Sequence, residues 1–145
     1  MDVFFKPDGL KMYVVGNVND SVYQYNLSTA WDISTASYET KYKDVGSEDT
    51  YPMDVFFKPD GLKMYVVGNV NDSVYQYNLS TAWDISTASY ETKYKDVGSE
   101  DTYPTGIFFK PDGDKAYIIG GTNEEVYQYL LPVPPVNALF FGTNF

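Results

Sequence analysis

Short apolar stretches alternate with turn residues along this chain, and none shows helical spacing over the ten or more residues a helix needs. Val3-Phe4-Phe5 opens a short strand, and Pro7-Asp8-Gly9 ends it, proline fixing φ and glycine permitting a positive φ. Residues 11–16 predict a second strand, residues 17–20 a tight connection, and residues 21–27 a third strand. A polar stretch over 28–36 holds Trp31 and Asp32. Residues 37–43 then predict a fourth strand, with Tyr38, Thr40 and Tyr42 on one face and Glu39, Lys41 and Lys43 on the other. The first two strands are apolar on both faces, as in a strand covered from both sides. The fourth alternates between aromatic and charged, as in an edge protected by lysine and glutamate.

This pattern repeats. Residues 1–52 recur unchanged as residues 53–104, and a diverged third copy starts at Thr105. The third copy matches the first at 14 of the first 25 aligned positions, keeping Phe-Phe-Lys-Pro-Asp-Gly and Val-Tyr-Gln-Tyr. It lacks the Ala-Trp-Asp-Ile segment and the fourth strand, and passes through Leu130-Leu131-Pro132-Val133-Pro134-Pro135 to an apolar stretch near the end. Residues 137–143 are expected either to replace the missing strand or to pair with another chain. Perfect identity over 52 residues points to an engineered or truncated array, or else to a very recent duplication.

A four-stranded antiparallel unit that runs from buried to exposed predicts a blade of a β-propeller, its first strand near the axis. A β-solenoid is the rival, with coils that are usually shorter. The expected organisation is all-β: blade 1 over residues 1–52, blade 2 over 53–104, and a partial blade 3 with a strand-like tail over 105–145. Closed propellers carry four to eight blades, so the ring is expected to be completed by a second copy joined head to tail, giving six blades from two chains.

Phe-Phe-Lys-Pro-Asp-Gly-Leu-Lys-Met-Tyr-Val-Val-Gly, followed by Asp-Ser-Val-Tyr-Gln-Tyr-Asn-Leu-Ser-Thr, resembles the YVTN-type propeller repeat of envelope, surface-layer and lactonase-like proteins. The whole unit is also similar to repeats of phage and environmental bacterial proteins. The resemblance covers residues 1–129 and implies the propeller fold, with an extracellular, cell-surface or virion setting favoured for the parent family. It implies little about function, because propellers host many functions. Trp31-Asp32 lies beyond the third strand and no histidine is present, so the repeat departs from the WD pattern.

Composition narrows the chemistry. At 43% hydrophobic and 18% aromatic, the chain can build a core. No apolar run approaches the 18 residues of a membrane-spanning helix, and the opening residues lack the order of a signal peptide. There is no cysteine and no histidine, and all ten basic residues are lysine. Disulfides, thiolate or imidazole metal sites, cysteine or histidine relays and arginine clamps are therefore excluded. A net charge of −10 argues against nucleic acid. No cofactor is expected.

Trp31 and Trp83, with Tyr38, Tyr90, Tyr51 and Tyr103, are the candidate ligand-binding residues, since an indole and a phenol can stack on a sugar or peptide. The competing reading is that each tryptophan fills the gap between blades. The Pro-Asp-Gly motifs read as hairpin turns. Asn17, Asn19 and Asp20, with Asn69, Asn71 and Asp72, read as polar turns rather than calcium loops. Asp44, Glu48 and Asp49 read as a solvated connection. Because catalysis needs dissimilar groups in dissimilar environments, and identical repeats carry identical groups, the chain is expected to be a non-catalytic scaffold and not an enzyme. The alternative is an adhesin module that binds glycans or peptides multivalently.

Overall fold

The structure, a computed structural model, describes residues 1–132. The first repeat forms β1 (Asp2–Phe5), β2 (Lys11–Gly16), β3 (Ser21–Leu27) and β4 (Ala36–Asp44), paired in that order into one antiparallel sheet. The second repeats this with β5 (Pro52–Phe57), β6 (Lys63–Gly68), β7 (Ser73–Leu79) and β8 (Ala88–Asp96). The third sheet holds β9 (Pro104–Phe109), β10 (Lys115–Gly120) and β11 (Val126–Leu130). Single 3₁₀ turns at Ile33–Thr35 and Ile85–Thr87 precede the fourth strands, capped by Asp32 and Asp84. The expected all-β architecture of successive antiparallel blades is what the chain adopts. The predicted strand or pairing role of residues 137–143 lies outside the described residues.

The fourth strand departs from plain alternation. Gln24 faces Lys41 while its neighbour Tyr25 faces Tyr38, so Glu39 and Thr40 bulge out of the ladder, with Thr40 at φ 57°. The bulge lets the Glu39 carboxylate take two hydrogen bonds from Lys11 Nζ, each 2.9 Å, and another from the Gln24 amide. Tyr38 and Tyr42 stay on one face, opposite Tyr25 and Tyr23.

The core lies between sheets. Tyr13, Val15, Val22 and Val45 of the first unit pack on Val55, Phe57, Met64, Val66, Tyr77, Leu79 and Ile85 of the second. Tyr65, Val67 and Val74 meet Ile107, Phe109, Ala116 and Ile118 in the same way at the next junction. A middle strand that is apolar on both faces is what such stacking requires, because each face belongs to a different core. Aromatic pairs repeat across the junctions: Tyr13 lies 4.3 Å from Phe57 and Tyr65 lies 4.3 Å from Phe109, centroid to centroid.

The acidic connection between blades is not a solvated loop. Asp49 is buried, and its carboxylate accepts the amide N–H groups of Tyr51 at 2.8 Å, Asn71 at 2.9 Å and Val70 at 3.3 Å. Glu48 accepts the Tyr77 hydroxyl at 2.7 Å. The second connection repeats both features, with Asp101 accepting from Tyr103, Thr122 and Asn123, and Glu100 from Tyr129. The reading from composition failed because Asp49 and Asp101 also satisfy amides of the next hairpin, 21 and 22 residues on, while Glu48 and Glu100 meet tyrosine hydroxyls 29 residues on.

The Pro-Asp-Gly turns form as expected. Gly9 and Gly61 both have φ +72°, and a Cβ on either would stand 2.4 Å from the indole nitrogen of Trp31 or Trp83. Trp83 is held beneath the first blade, stacked with Phe4 and Phe57, whereas Trp31 is 59% exposed. Gly9→Ala should therefore cost about 1–2 kcal/mol, the left-handed backbone penalty, since Trp31 can swing aside. Gly61→Ala should cost roughly 1–2 kcal/mol more because Trp83 cannot move without opening the junction. Denaturant unfolding of the two variants measures the difference, and equal costs would refute the locked position of Trp83.

Candidate active site

Each repeat begins with an inner strand, and the three inner strands lie side by side. Phe4 contacts Phe56 edge-on at 5.5 Å, and Phe56 contacts Phe108 at 5.6 Å. Two residues before the first phenylalanine, in an otherwise apolar strand, stand Asp2, Asp54 and, in the third copy, Gly106. Asp2 is opposite Val15 and Asp54 is opposite Val67 in their own sheets. Asp2 is the charged neighbour that acts on the Asp54 carboxyl.

Their surroundings differ although their repeats are identical. Asp2 is exposed, while Asp54 is only 8% exposed and accepts the amide N–H of Ile107 in the next blade at 2.5 Å. Burial, then the neighbouring Asp2 side chain, push the Asp54 carboxyl up to about 8 against the opposing pull of the Ile107 and Val55 amides. The Asp54 carboxyl therefore keeps its proton at neutral pH. Gly106 makes this approach possible: a Cβ there would stand 3.3 Å from Asp54 Oδ2 and 2.8 Å from the Ile119 side chain. A protonated carboxyl group beside a second acidic side chain can give its proton to a reacting atom. Among the described residues, no group of three or more acidic side chains is arranged to hold a metal.

The residues singled out in the sequence fall elsewhere. Trp83 is half-buried between blades with Phe4, Tyr13 and Phe57, and its carbonyl accepts the Tyr13 hydroxyl at 2.7 Å. Trp31 stands beside Phe5 at 5.4 Å with its other side open. Tyr38 is exposed against Tyr23 and Tyr25, and Tyr90 is half-buried against Tyr75 and Tyr77. Tyr51 and Tyr103 lie in the connections between blades, their carbonyls accepting from Asn69 and Gly121. Trp83 and Tyr90 flank one core cluster. Asp8, Asp60 and Asp112 are ion-paired with Lys6, Lys58 and Lys110 and form no ring of free carboxylates. Asp2 and Asp54 were not singled out. The available signal was an acid inside an apolar inner strand, replaced by glycine where the repeat diverges.

The raised pKa of Asp54 carries a stability consequence. A carboxyl whose folded pKa is raised favours the folded state at low pH, and that contribution is lost as pH rises toward the folded value. Unfolding free energy should fall by a few kcal/mol between about pH 5 and pH 8, and Asp54→Asn should remove most of the fall. Denaturant unfolding across that range tests this; the same slope in Asp54→Asn would show that Asp54 does not hold the proton.

No family model and no curated protein sequence matches the chain. Solved structures do. A Bacteroides uniformis protein named as a 6-phosphogluconolactonase is similar at 12% identity with a TM-score of 0.66, over 90% of this chain and 35% of that one. The periplasmic gluconolactonase of Pseudomonas aeruginosa is similar at 13% identity and 0.63, over 90% and 35%. The β-propeller domain of Myceliophteria thermophila Cps50 (Swd1) is similar at 14% identity and 0.60, over 90% and 40%. The chain spans little more than a third of the length of these structures.

The expectation of a non-catalytic scaffold, with its adhesin alternative, is corrected by these neighbours, because proteins named as lactonases are built on this architecture. The expectation that the chain is not an enzyme rested on identical repeats offering only identical environments. Asp2 and Asp54 overturn that premise, since the same residue is exposed in one blade and buried in the next. What the likeness establishes is the fold, that of β-propeller blades.

Proposed function

We propose that this chain is part of a propeller hydrolase of sugar lactones, with Asp2 and Asp54 as its acid–base pair. The observation that carries the reading is the Asp54 carboxyl, buried at the inner strands, held by the Ile107 amide and raised in pKa by burial and by its neighbour Asp2. The similarity in fold to proteins named as gluconolactonases supports the substrate class. We also read the 52-residue unit as a YVTN-type repeat, on Phe-Phe-Lys-Pro-Asp-Gly, Tyr-Val-Val-Gly and Val-Tyr-Gln-Tyr.

In the proposed reaction, water attacks the lactone carbonyl while the ionised carboxylate of the pair takes the water proton. The bond from the carbonyl carbon to the ring oxygen breaks, and the protonated carboxyl gives that oxygen its proton. The product is the open hydroxy acid, and the pair again carries one proton. The reaction needs the protonated Asp54 carboxyl, so the rate should fall as pH rises past about 8. An unphosphorylated lactone fits better than a phosphorylated one. The chain has no arginine, and the lysines that follow the inner strands, Lys6, Lys58 and Lys110, are paired with Asp8, Asp60 and Asp112.

Acid release from glucono-δ-lactone in lightly buffered solution tests the reading. The chain should exceed the uncatalysed rate, and Asp2→Asn and Asp54→Asn should each lower the excess roughly 100-fold or more. No excess rate at any pH from 6 to 9, or undiminished rates in both variants, would overturn it.

A further inference from the structure

Two sheet faces have no partner among the described residues, and they are the same two faces that meet twice inside the chain. One is the face of the first sheet that carries Val3, Met12, Val14, Tyr25, Trp31 and Ile33. The exposure of identical residues reports what a neighbour does to it: Ile33 is 68% exposed and Ile85 0%, and Val3 is 46% exposed and Val55 1%. The other is the face of the third sheet that carries Phe108, Tyr117, Ile119, Val126 and Gln128. There Val126 is 63% exposed, against 2% for Val74 at the same place in the second sheet. A hollow of about 270 Å³ opens on this face, lined in part by Tyr117, Ile119 and Val126.

We infer that the open face of the third sheet docks the open face of the first sheet of a second copy of this chain, and that two copies close one ring. The occupant follows from continuity with the junctions already formed. At the first junction Tyr13 donates to the Trp83 carbonyl at 2.7 Å, and Gln24 Oε1 accepts the Ile85 amide N–H at 2.9 Å. The third copy keeps both side chains, as Tyr117 and Gln128, and keeps the apolar character of the face with Ile119 and Val126. The first repeat presents the matching Trp31 carbonyl and Ile33 amide. Phe108 would extend the run of inner phenylalanines onto Phe4 of the second copy. An array that diverges freely has no need to preserve a face that never meets a partner.

Stoichiometry follows from blade number. The contact is heterologous, so it builds a ring if the rotation closes and an open filament if it does not. Closed propellers hold four to eight blades. The described residues form three sheets, so two copies bring six, within that range, and three would bring nine. Closure also surrounds the inner carboxylates, placing two Asp2–Asp54 pairs about one axis. Docking does not depend on the proposed hydrolysis, and the two are read by different measurements.

Light scattering after size exclusion, on the 145-residue chain from about 1 to 100 µM, should give twice the 16.4 kDa chain mass. Ile33→Lys and Ile119→Lys each place a charge on one face only, at positions exposed enough to leave the blades folded, and each should shift the mass to one chain. Val126→Lys is the second variant for the third-sheet face, and far-UV circular dichroism confirms folding. Mixing Ile33→Lys with Ile119→Lys should restore a two-chain species, because one unaltered pair of faces survives; a symmetric face-to-itself dimer would not be rescued. A one-chain mass for the unaltered protein, two-chain masses for the separate variants, or mass growing without limit would each overturn the proposal.

Discussion

Sheet stacked on sheet is the interaction on which everything else in this protein depends. A single four-stranded sheet of this sequence is apolar on both faces of its middle strands and cannot bury both by itself. Tyr13, Val15 and Val22 are covered only because Phe57, Met64 and Val66 arrive from the next repeat. The same stacking brings the inner strands together and so sets one carboxyl group against another. The fold and the candidate site therefore have a common origin.

Stacking also makes position along the array a source of chemical difference. Repeats identical at 52 positions contain a half-buried tryptophan and an exposed one, a covered isoleucine and a bare one, and an aspartate with a raised pKa beside one in water. A neighbour on one side removes water and supplies amide donors such as that of Ile107, and its absence leaves the same residue solvated. Identity of sequence thus does not imply identity of site.

The strands, the Pro-Asp-Gly turns and the propeller class were legible because they depend on local spacing. Period-two runs and turn residues act within a few positions, and the repeat multiplies the signal. The bulge at Glu39-Thr40 was not legible, since it answers to Lys11, 28 residues away. Nor was the buried role of Asp49, whose carboxylate satisfies amides 21 and 22 residues on. The aromatic residues drew attention by type, yet Trp83 is held as packing between Phe4 and Phe57.

Residue order alone settled the strand pattern, the turn chemistry, the repeat boundaries and the list of chemistries that a chain without cysteine, histidine or arginine cannot perform. These are properties of short segments and of side-chain inventory. Tertiary structure alone decided which copy of each repeated residue is buried, which carboxyl group is raised in pKa, and which faces stay open among the described residues. Those depend on what lies across a junction about fifty residues away, and desolvation there turns one aspartate into an acid and leaves its twin in water.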